Sequence, residues 1–426
     1  MKTVSKILFL QMSAAILFLS AAGLANGQLI CTRAGWQESG SEYCIVMPEV
    51  YNGRLVIWAH GFQDAGTPIG IPLDQLCFDG VCTYDILTSM GFAFATNSYS
   101  DTGLAVVEGT RDIVDLVNIF TDFYGSPERI YLIGASEGGL ITTLLTEDYP
   151  DIFDAGYALC GPIGDFRYQI KYLGDARVIF EYFFPNQIPG YGIFNNITTE
   201  ILPVEWDDYF ETHIKPLLLS NRNKFEQWVT VAKLPFEADD PVNTWLNSAK
   251  DVLRYAILNL QDAANKLGGF PFENRWTWYR GSANDLRLNL RAKRFGADPA
   301  AVSEMKANYN TTGDLDRPLI TMHTTKDQQV PYAHEFLYNL KTLAEGSVLT
   351  DHINIPIRRY GHCQFKVEEA LAGLGLMLLY SGDLQMLRGI GSVLQGDQLE
   401  SFDSIAQQAG LPFQIEGDRL DAIFNK

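Results

Sequence analysis

Strand-like and helix-like segments alternate along the first part of the chain. Four short apolar runs have the composition of buried strands: residues 53–60, 91–99, 129–136 and 154–162. Between them, residues 104–125 carry apolar side chains at a spacing of three to four and end in a glycine, and residues 137–149 have a helix-like pattern. Continuous apolar strands separated by helices predict a mostly parallel α/β sheet with helices on both faces.

The alternation stops near Pro162 and resumes near Pro318, with two further strand-like runs at residues 318–327 and 353–362. Residues 163–316 contain many helix-like runs and few strand-like ones, so a large, mainly helical cap is expected to interrupt the sheet between these two prolines. An insertion at a loop costs little because the ends of the loop stay close together. The expected organisation is a signal peptide, a split α/β core, the cap and an acidic C-terminal tail, at residues 1–25, 26–162 with 317–382, 163–316 and 383–426.

The N-terminal segment has two lysines, then an apolar run, then small residues up to Ala25 and Gly27. This is the layout of a secretory signal peptide, with an N-terminal membrane anchor as the alternative. No later apolar run is long enough to span a bilayer. We therefore expect a secreted or periplasmic protein with no stable membrane insertion once the signal is removed.

Net charge and cysteine content indicate which partners and which cross-links to expect. The 426 residues carry a net charge of −19, and such a surface repels phosphate backbones, so no nucleic-acid partner is expected. An even number of cysteines in an exported chain favours disulfides, although fifteen pairings are possible. The local pairs Cys31–Cys44 and Cys77–Cys82 are the first expectation, which leaves Cys160 and Cys363. No Cys/His spacing resembles a zinc site.

Residues 134–139, GASEGG, place Ser136 between a predicted strand and a predicted helix. A serine hydroxyl needs a neighbouring base and a sharp turn that projects it from the protein. Gly134 and Gly138 permit such a turn, and the helix behind it directs its positive end at the serine. A plain glycine-rich turn is the alternative reading, but the strand and helix on either side favour a nucleophile.

The base is expected to be His362, because it follows the last predicted strand and can reach over the carboxyl edge of the sheet. His213 lies in the helical insertion, His334 and His352 lie in polar stretches, and His323 lies inside a predicted strand, where a core histidine is the more natural reading. The orienting acid is expected to be Asp327, which follows the penultimate strand. Asp314 and Asp316 precede that strand and would lie at the wrong edge.

Acyl transfer also needs hydrogen-bond donors for the developing oxyanion. The backbone N–H of Glu137, directly after the serine, is the first candidate. The backbone N–H of Phe62 is the second, with Gln63 next in line, and His60 and Gly61 are expected to shape that loop.

Together these motifs resemble those of the α/β-hydrolase superfamily. HGF at 60–62, GASEGG at 134–139, HTTKDQQVP at 323–331 and YGH at 360–362 are similar to its local signatures, and the likeness covers about residues 45–162 and 317–381. The order Ser136, Asp327, His362 matches the superfamily's order of nucleophile, acid and base. Thr324 stands where relatives often have glycine.

The resemblance implies a serine esterase of the carboxylesterase type that uses an acyl-enzyme and needs no metal or organic cofactor. There is some likeness to tannase-like and feruloyl-esterase-like hydrolases, in which a disulfide joins the neighbours of the serine and the histidine. Here Ala135 precedes the serine, so we hypothesise that Cys160 bonds Cys363 instead, with two buried thiols as the alternative.

The substrate expected from this resemblance is a small-molecule or polymer ester. Aromatic residues are dense between residues 166 and 194 of the cap, which suggests an apolar or aromatic ester unless these rings form the cap's own core. A prolyl-oligopeptidase-like exopeptidase or amidase is the main alternative. A catalytically silent hydrolase fold that binds a ligand is a third.

Overall fold

The computed structural model describes residues 29–188, 205–347 and 351–386, together with Gln398, Glu400, Ser401, Ser404 and Gln407. The predicted signal peptide and nearly all of the predicted acidic tail lie outside these residues. Within the part described, no helix is both long enough and apolar enough to cross a membrane. The described residues from Cys31 onward belong to one compact unit.

The described strands, in chain order, are β1 (Arg33–Trp36), β2 (Glu42–Val46), β3 (Arg54–Ala59), β4 (Cys77–Phe78), β5 (Val81–Cys82), β6 (Ala93–Asn97), β7 (Arg129–Ala135), β8 (Ala155–Leu159), β9 (Leu319–Lys326) and β10 (His352–Tyr360). Eight of them form one sheet in the order β1-β2-β6-β3-β7-β8-β9-β10, while β4 and β5 pair separately as a short hairpin. The six strands from β6 to β10 in this order are parallel, whereas β2 runs antiparallel to both β1 and β6. The predicted mostly parallel α/β sheet is confirmed.

The described helices, in chain order, are α1 (Thr83–Ser89), α2 (Val106–Tyr124), α3 (Glu137–Asp148), α4 (Phe166–Phe183), α5 (Trp206–Tyr209), α6 (Lys215–Ser220), α7 (Arg222–Ala232), α8 (Pro241–Lys266), α9 (Asp285–Arg291), α10 (Pro299–Asn308), α11 (Ala333–Glu345) and α12 (Val367–Tyr380). A 3-10 turn spans Leu73–Gln75 and a π-helical turn spans Phe210–Ile214. The described part of residues 163–316 contains helices and loops and no strand, in agreement with the predicted insertion.

One hydrophobic cluster joins the sheet to the inserted helices. It includes side chains of β3, β7 and α3 from the core and of α4, α7 and α8 from the insertion: Ile57, Leu132, Leu140, Ile170, Leu173, Trp228, Leu253 and Ile257. Burial of this shared apolar surface fixes the insertion over the carboxyl edge of the sheet. Polar contacts add to it, since Arg254 of α8 pairs with Asp64 at 2.5 Å and Lys266 pairs with Asp101 at 3.1 Å.

Candidate active site

Ser136 lies in a sharp turn between β7 and α3, with φ 58° and ψ −118°. This is a strained conformation for a residue with a side chain, as the sequence predicts for a projecting nucleophile. A Cβ on Gly134 would lie 2.2 Å from the carbonyl oxygen of Gly138, and a Cβ on Gly138 would lie 2.0 Å from that of Ala59. The two glycines therefore allow α3 to start close against β7 and β3.

Hydrogen bonds join the serine, the histidine and the aspartate in a single chain. The Ser136 Oγ lies 2.9 Å from Nε2 of His362, and Nδ1 of His362 lies 2.7 Å from Oδ2 of Asp327. Ser136, Asp327 and His362 each follow the carboxyl end of a parallel strand, and these ends meet at one edge of the sheet. The structure thus brings together three side chains that are up to 226 residues apart.

Asp327 is buried and fully satisfied as an acceptor. Its Oδ1 accepts from the backbone N–H groups of Gln329 and Val330 at 2.8 and 2.9 Å. Its Oδ2 faces His362 and, at 3.3 Å, Nε2 of His323. Burial alone would raise the pKa of this carboxyl, but the two histidines outweigh burial and lower it well below its usual range. The group is therefore an anion at neutral pH.

A disulfide anchors the histidine loop to the sheet. Cys160 directly follows β8, and Cys363 directly follows His362; the two form a bond across 203 residues. The other pairs are Cys31–Cys44 and Cys77–Cys82, and no described cysteine is free. The hypothesised link between Cys160 and Cys363 is present, and the alternative of two thiols does not hold in this structure.

The loop after β3 carries the second predicted oxyanion donor. The Gln75 side chain clamps this loop, because its Oε1 accepts from the Gly61 N–H at 2.7 Å and its Nε2 donates to the Phe62 carbonyl at 3.2 Å. Gln63, the other candidate, pairs with Gly103 in an isolated antiparallel bridge. Both Phe62 and Glu137 border the cavity beside Ser136. Sequence reasoning missed Gln75, which belongs to a 3-10 turn without a recognisable motif.

His60 also holds the loop after β3 in place. Its Nδ1 lies 2.7 Å from the Gly61 carbonyl oxygen, and its ring stacks on Tyr99 at 3.8 Å between centroids. The Tyr99 hydroxyl donates to the His60 carbonyl at 2.9 Å. Burial lowers the pKa of His60 to about 4, so the ring is neutral and donates from Nδ1. The structure places His60 where the sequence predicts a loop-shaping residue.

The side chain of Glu137 is buried next to Ser136. Its Oε1 accepts one hydrogen bond, from the Ala105 N–H at 2.6 Å. Burial raises the pKa of this carboxyl to about 8, and the Ala105 N–H and the charge of Lys266 reduce that effect only in part. As the first residue of α3, Glu137 also has a backbone N–H with no acceptor in a preceding helical turn.

Two cavities meet at Ser136. The first encloses about 70 Å³ beneath α4 and α8, and its walls include Leu104, Phe166, Ile170, Leu173, Asn259 and Ala263. The second encloses about 250 Å³ and includes Trp58, Cys77, Phe78, His362, Cys363 and Phe365. Phe62, Tyr255 and Gln329 border both cavities, and the rings of Phe62 and Tyr255 lie 6.0 Å apart.

Most of the aromatic residues at the start of the insertion do not line these cavities. Phe180, Phe183 and Phe184 belong to the hydrophobic cluster, and Phe166 is the member of the run that borders the first cavity. Tyr191 and Phe194 lie outside the described residues. The rings therefore serve mainly as the cap's own core, which was one of the two readings of the sequence.

The remaining histidines are separated from the nucleophile. His213 lies in the π-helical turn, stacked on Tyr209 at 4.6 Å. His334 and His352 are both buried, and His352 is the first residue of β10. His323 is buried in β9 as predicted, but it contacts Asp327, a role that the sequence pattern did not indicate.

One group of Cys, His, Asp and Glu side chains in the described part of the chain is close enough to share a metal ion: Cys160, His362 and Cys363. The sulfurs of Cys160 and Cys363 are bonded to each other in a disulfide, so neither is a thiolate that could bind a metal.

Comparison with known proteins finds similarity to hydrolases. A model of the prolyl oligopeptidase family matches residues 82–175, a span that contains Ser136 and all of α3. The chain has the α/β-hydrolase fold. Its residues at the carboxyl edge of the sheet form the arrangement of a serine hydrolase.

Three proteins illustrate the range of similar hydrolases. The o-phthalyl amidase of Xanthobacter agilis is 20% identical over 400 residues, covering 80% of this chain and 84% of the amidase. Feruloyl esterase B from Aspergillus oryzae has a TM-score of 0.37 and 15% identity, covering 78% of this chain and 72% of the esterase. The Pyrococcus horikoshii acylaminoacyl peptidase has a TM-score of 0.39 and 10% identity over 83% of this chain. This hydrolase spans 40% of the length of that peptidase.

Proposed function

We propose that this hydrolase is an exported carboxylic-ester hydrolase that forms an acyl-enzyme on Ser136. The observation that carries the proposal is the continuous hydrogen-bonded chain from Ser136 through His362 to Asp327, with distances of 2.9 and 2.7 Å. Distances of this size are those over which a base takes a proton from a serine hydroxyl. Ser136 borders two cavities, which we assign to the two halves of the ester.

The proposed reaction has two steps. Nε2 of His362 takes the proton of Ser136 as Oγ attacks the ester carbonyl, and the anionic Asp327 stabilises the imidazolium. The backbone N–H groups of Phe62 and Glu137 stabilise the oxyanion. His362 then protonates the leaving alcohol and, in the second step, activates the water that hydrolyses the acyl-enzyme.

The two cavities receive different halves of the substrate. His362 borders the second, larger cavity, so the alcohol that it protonates leaves on that side. The acyl group then occupies the first cavity under α4 and α8. The described residues of that cavity include no lysine, arginine or histidine, and Glu137 is their one carboxyl group. Because the raised pKa of Glu137 keeps it protonated at neutral pH, a small, uncharged, apolar or aromatic acyl group fits best.

Export is supported by the cysteines and by the N-terminal sequence. Three disulfides persist in an oxidising compartment and are rare in reducing ones. The segment before Gly27 has the lysines, apolar run and small residues of a secretory signal peptide, which also supports export.

An amidase or exopeptidase is the second candidate. It is favoured by the family model that matches residues 82–175 and by the amidase at 20% identity, since the same triad cleaves amides. The lack of an anionic side chain in the first cavity weighs against recognition of a free amino terminus.

A substrate panel distinguishes these candidates. We expect p-nitrophenyl esters of short acyl chains and feruloyl methyl ester to be hydrolysed by the wild type and not by Ser136→Ala. Prolyl anilides should be poor substrates. Turnover of anilides alone would establish the amidase or peptidase instead, and failure of the wild type to react with a fluorophosphonate probe would favour a silent binding protein.

A further inference from the structure

A buried histidine lies on the opposite side of Asp327 from His362. His323 is fully buried in β9, and its Nε2 lies 3.3 Å from Oδ2 of Asp327 and 2.9 Å from the Val330 carbonyl oxygen. Its Nδ1 lies 3.2 Å from Oε1 of Glu335. Asp327 is thus held between two imidazole rings.

The surroundings of His323 fix its protonation. A neutral imidazole has one N–H donor and one acceptor nitrogen. Here Nε2 faces a carbonyl and a carboxylate, and Nδ1 faces a second carboxyl group, so a ring that donates from both nitrogens matches all three oxygens. Burial alone would lower the pKa of His323, but its hydrogen bonds and charge interactions with Asp327 and Glu335 outweigh burial and raise it to about 10.

Glu335 is itself fixed by donors. Its Oε2 accepts from the Thr321 hydroxyl at 2.7 Å and from the Asn354 side-chain amide at 2.6 Å, while Oε1 faces His323. Tyr332 holds Asn354 through a bond from its hydroxyl at 2.9 Å. This carboxyl group is buried in α11 with a complete set of partners, which is how a buried charge is kept in place.

We propose that His323, backed by Glu335, is a positioning residue that holds Asp327 and offsets one of two buried negative charges beside the catalytic base. The inference deepens the proposed function and rests on it, because it concerns the base of the Ser136 reaction. It extends the line of interacting side chains to five, through the contacts of His323 with Asp327 at 3.3 Å and with Glu335 at 3.2 Å.

The net charge of Asp327, His323 and Glu335 acts on the neighbouring His362. With His323 as a cation, Asp327, His323 and Glu335 together carry a charge of −1, which a protonated His362 balances. Without the cation the cluster would carry −2 and would favour protonation of His362 in the resting enzyme, where the base must be free. His323 therefore reduces the net negative charge that would favour a proton on His362.

Other titratable groups that face this cluster remain neutral. Burial lowers the pKa of His334 to about 3 and that of His352 to about 4. Burial raises the pKa of Tyr332, whose ring meets His323 edge-on at 5.8 Å, to about 12. The carboxyl groups that face His323 are therefore those of Asp327 and Glu335.

The test is the pH dependence of the rate of Ser136 labelling by a fluorophosphonate, which needs no knowledge of the substrate. In His323→Gln, the acid limb of this profile should move to higher pH by roughly one pH unit. In Glu335→Gln, which removes a negative charge, the limb should stay in place or move to lower pH. A folded His323→Gln with an unmoved limb, or an upward shift in Glu335→Gln, overturns the inference.

His334→Gln is the matched control. It also removes a fully buried histidine, but this ring bonds the Gly164 N–H and the Gln169 side chain and no carboxylate. Loss of a buried ring alone should lower stability without moving the limb. A limb that moves equally in His334→Gln therefore contradicts a specific role for His323.

A measurement on the wild type covers the case in which His323→Gln does not fold. Nitrogen-15 spectra of histidine-labelled protein at pH 8 should contain one imidazolium signal, from His323. In Glu335→Gln this signal should shift or be lost. Absence of an imidazolium at pH 8 overturns the inference. Absence of all fluorophosphonate labelling, by contrast, would contradict the proposed function while the nitrogen-15 result still decides the state of His323.

Discussion

Two buried carboxyl groups lie on either side of Ser136, and their environments are opposite. Asp327, in the loop after β9, receives two backbone N–H bonds and faces two imidazole rings. Glu137, at the start of α3, receives one backbone N–H bond. Both are almost wholly inaccessible to solvent, yet the pKa of Asp327 is lowered and that of Glu137 is raised to about 8.

The difference shows that burial does not decide the charge of a carboxyl group in this site. Burial raises the pKa of both groups, and the number and charge of the hydrogen-bond donors determine whether it is overcome. The result is an anion on the side where an imidazolium forms and a neutral acid on the side where an oxyanion forms. In the proposed reaction, the negative charge of Asp327 stabilises the imidazolium, and a neutral Glu137 does not repel the oxyanion.

The largest expected effect comes from neutralising the charged member of the pair. Asp327→Asn should lower kcat/KM for a p-nitrophenyl ester at pH 7 by about 10⁴-fold, because it removes the anion that orients and stabilises the imidazolium. Glu137→Gln, the matched change on the other side, should stay within about tenfold of the wild type, since it replaces a neutral acid by a neutral amide. Equal losses in the two variants would contradict the comparison.

The next effect concerns the disulfide on the side of Asp327 and His362. Replacing both Cys160 and Cys363 by serine should lower the free energy of unfolding by about 2–4 kcal/mol, since the bond closes a loop of 203 residues. Urea denaturation measures this loss. The pair Cys77→Ser with Cys82→Ser, which opens a loop of five residues, is the control and should have the smaller effect. The reverse order would refute the anchoring role of the long-range bond.

The smallest effect is on the pH dependence of stability. In the folded protein the pKa of Glu137 is about 8, against about 4.5 for a free side chain, so between these values the folded state binds a proton that the unfolded state lacks. Its contribution to stability is complete below pH 4.5 and is lost as the pH rises through 8. Glu137→Gln should therefore melt a few degrees higher than the wild type at pH 9 and not at pH 5, measured by thermal unfolding. An equal melting difference at both pH values would contradict a neutral Glu137.

The sequence could place Ser136, Asp327 and His362 at one edge of the sheet because their positions follow from strand ends. Ser136, Asp327 and His362 each lie just after an apolar run, and parallel strands bring their carboxyl ends to one edge. The same pattern missed β1 and β2, since four- and five-residue antiparallel strands lack a long apolar run.

The groups around the triad were harder to predict. His323 in an apolar strand has the pattern of a core residue, and Glu335 in an amphipathic helix has that of a solvent-facing charge. Only the packing of α11 on β9 brings the two together at 3.2 Å. Gln75 similarly acquires its role from a loop that folds back on Gly61.

The central claim is that Ser136 is a nucleophile activated by His362 and Asp327. Mass spectrometry of tryptic peptides after reaction with a fluorophosphonate tests it most directly. We predict one adduct, on Ser136, at a rate that falls sharply in His362→Ala and Asp327→Asn and that vanishes in Ser136→Ala. A stable, folded wild type that acquires no adduct, or one that carries it on a different residue, would contradict the account.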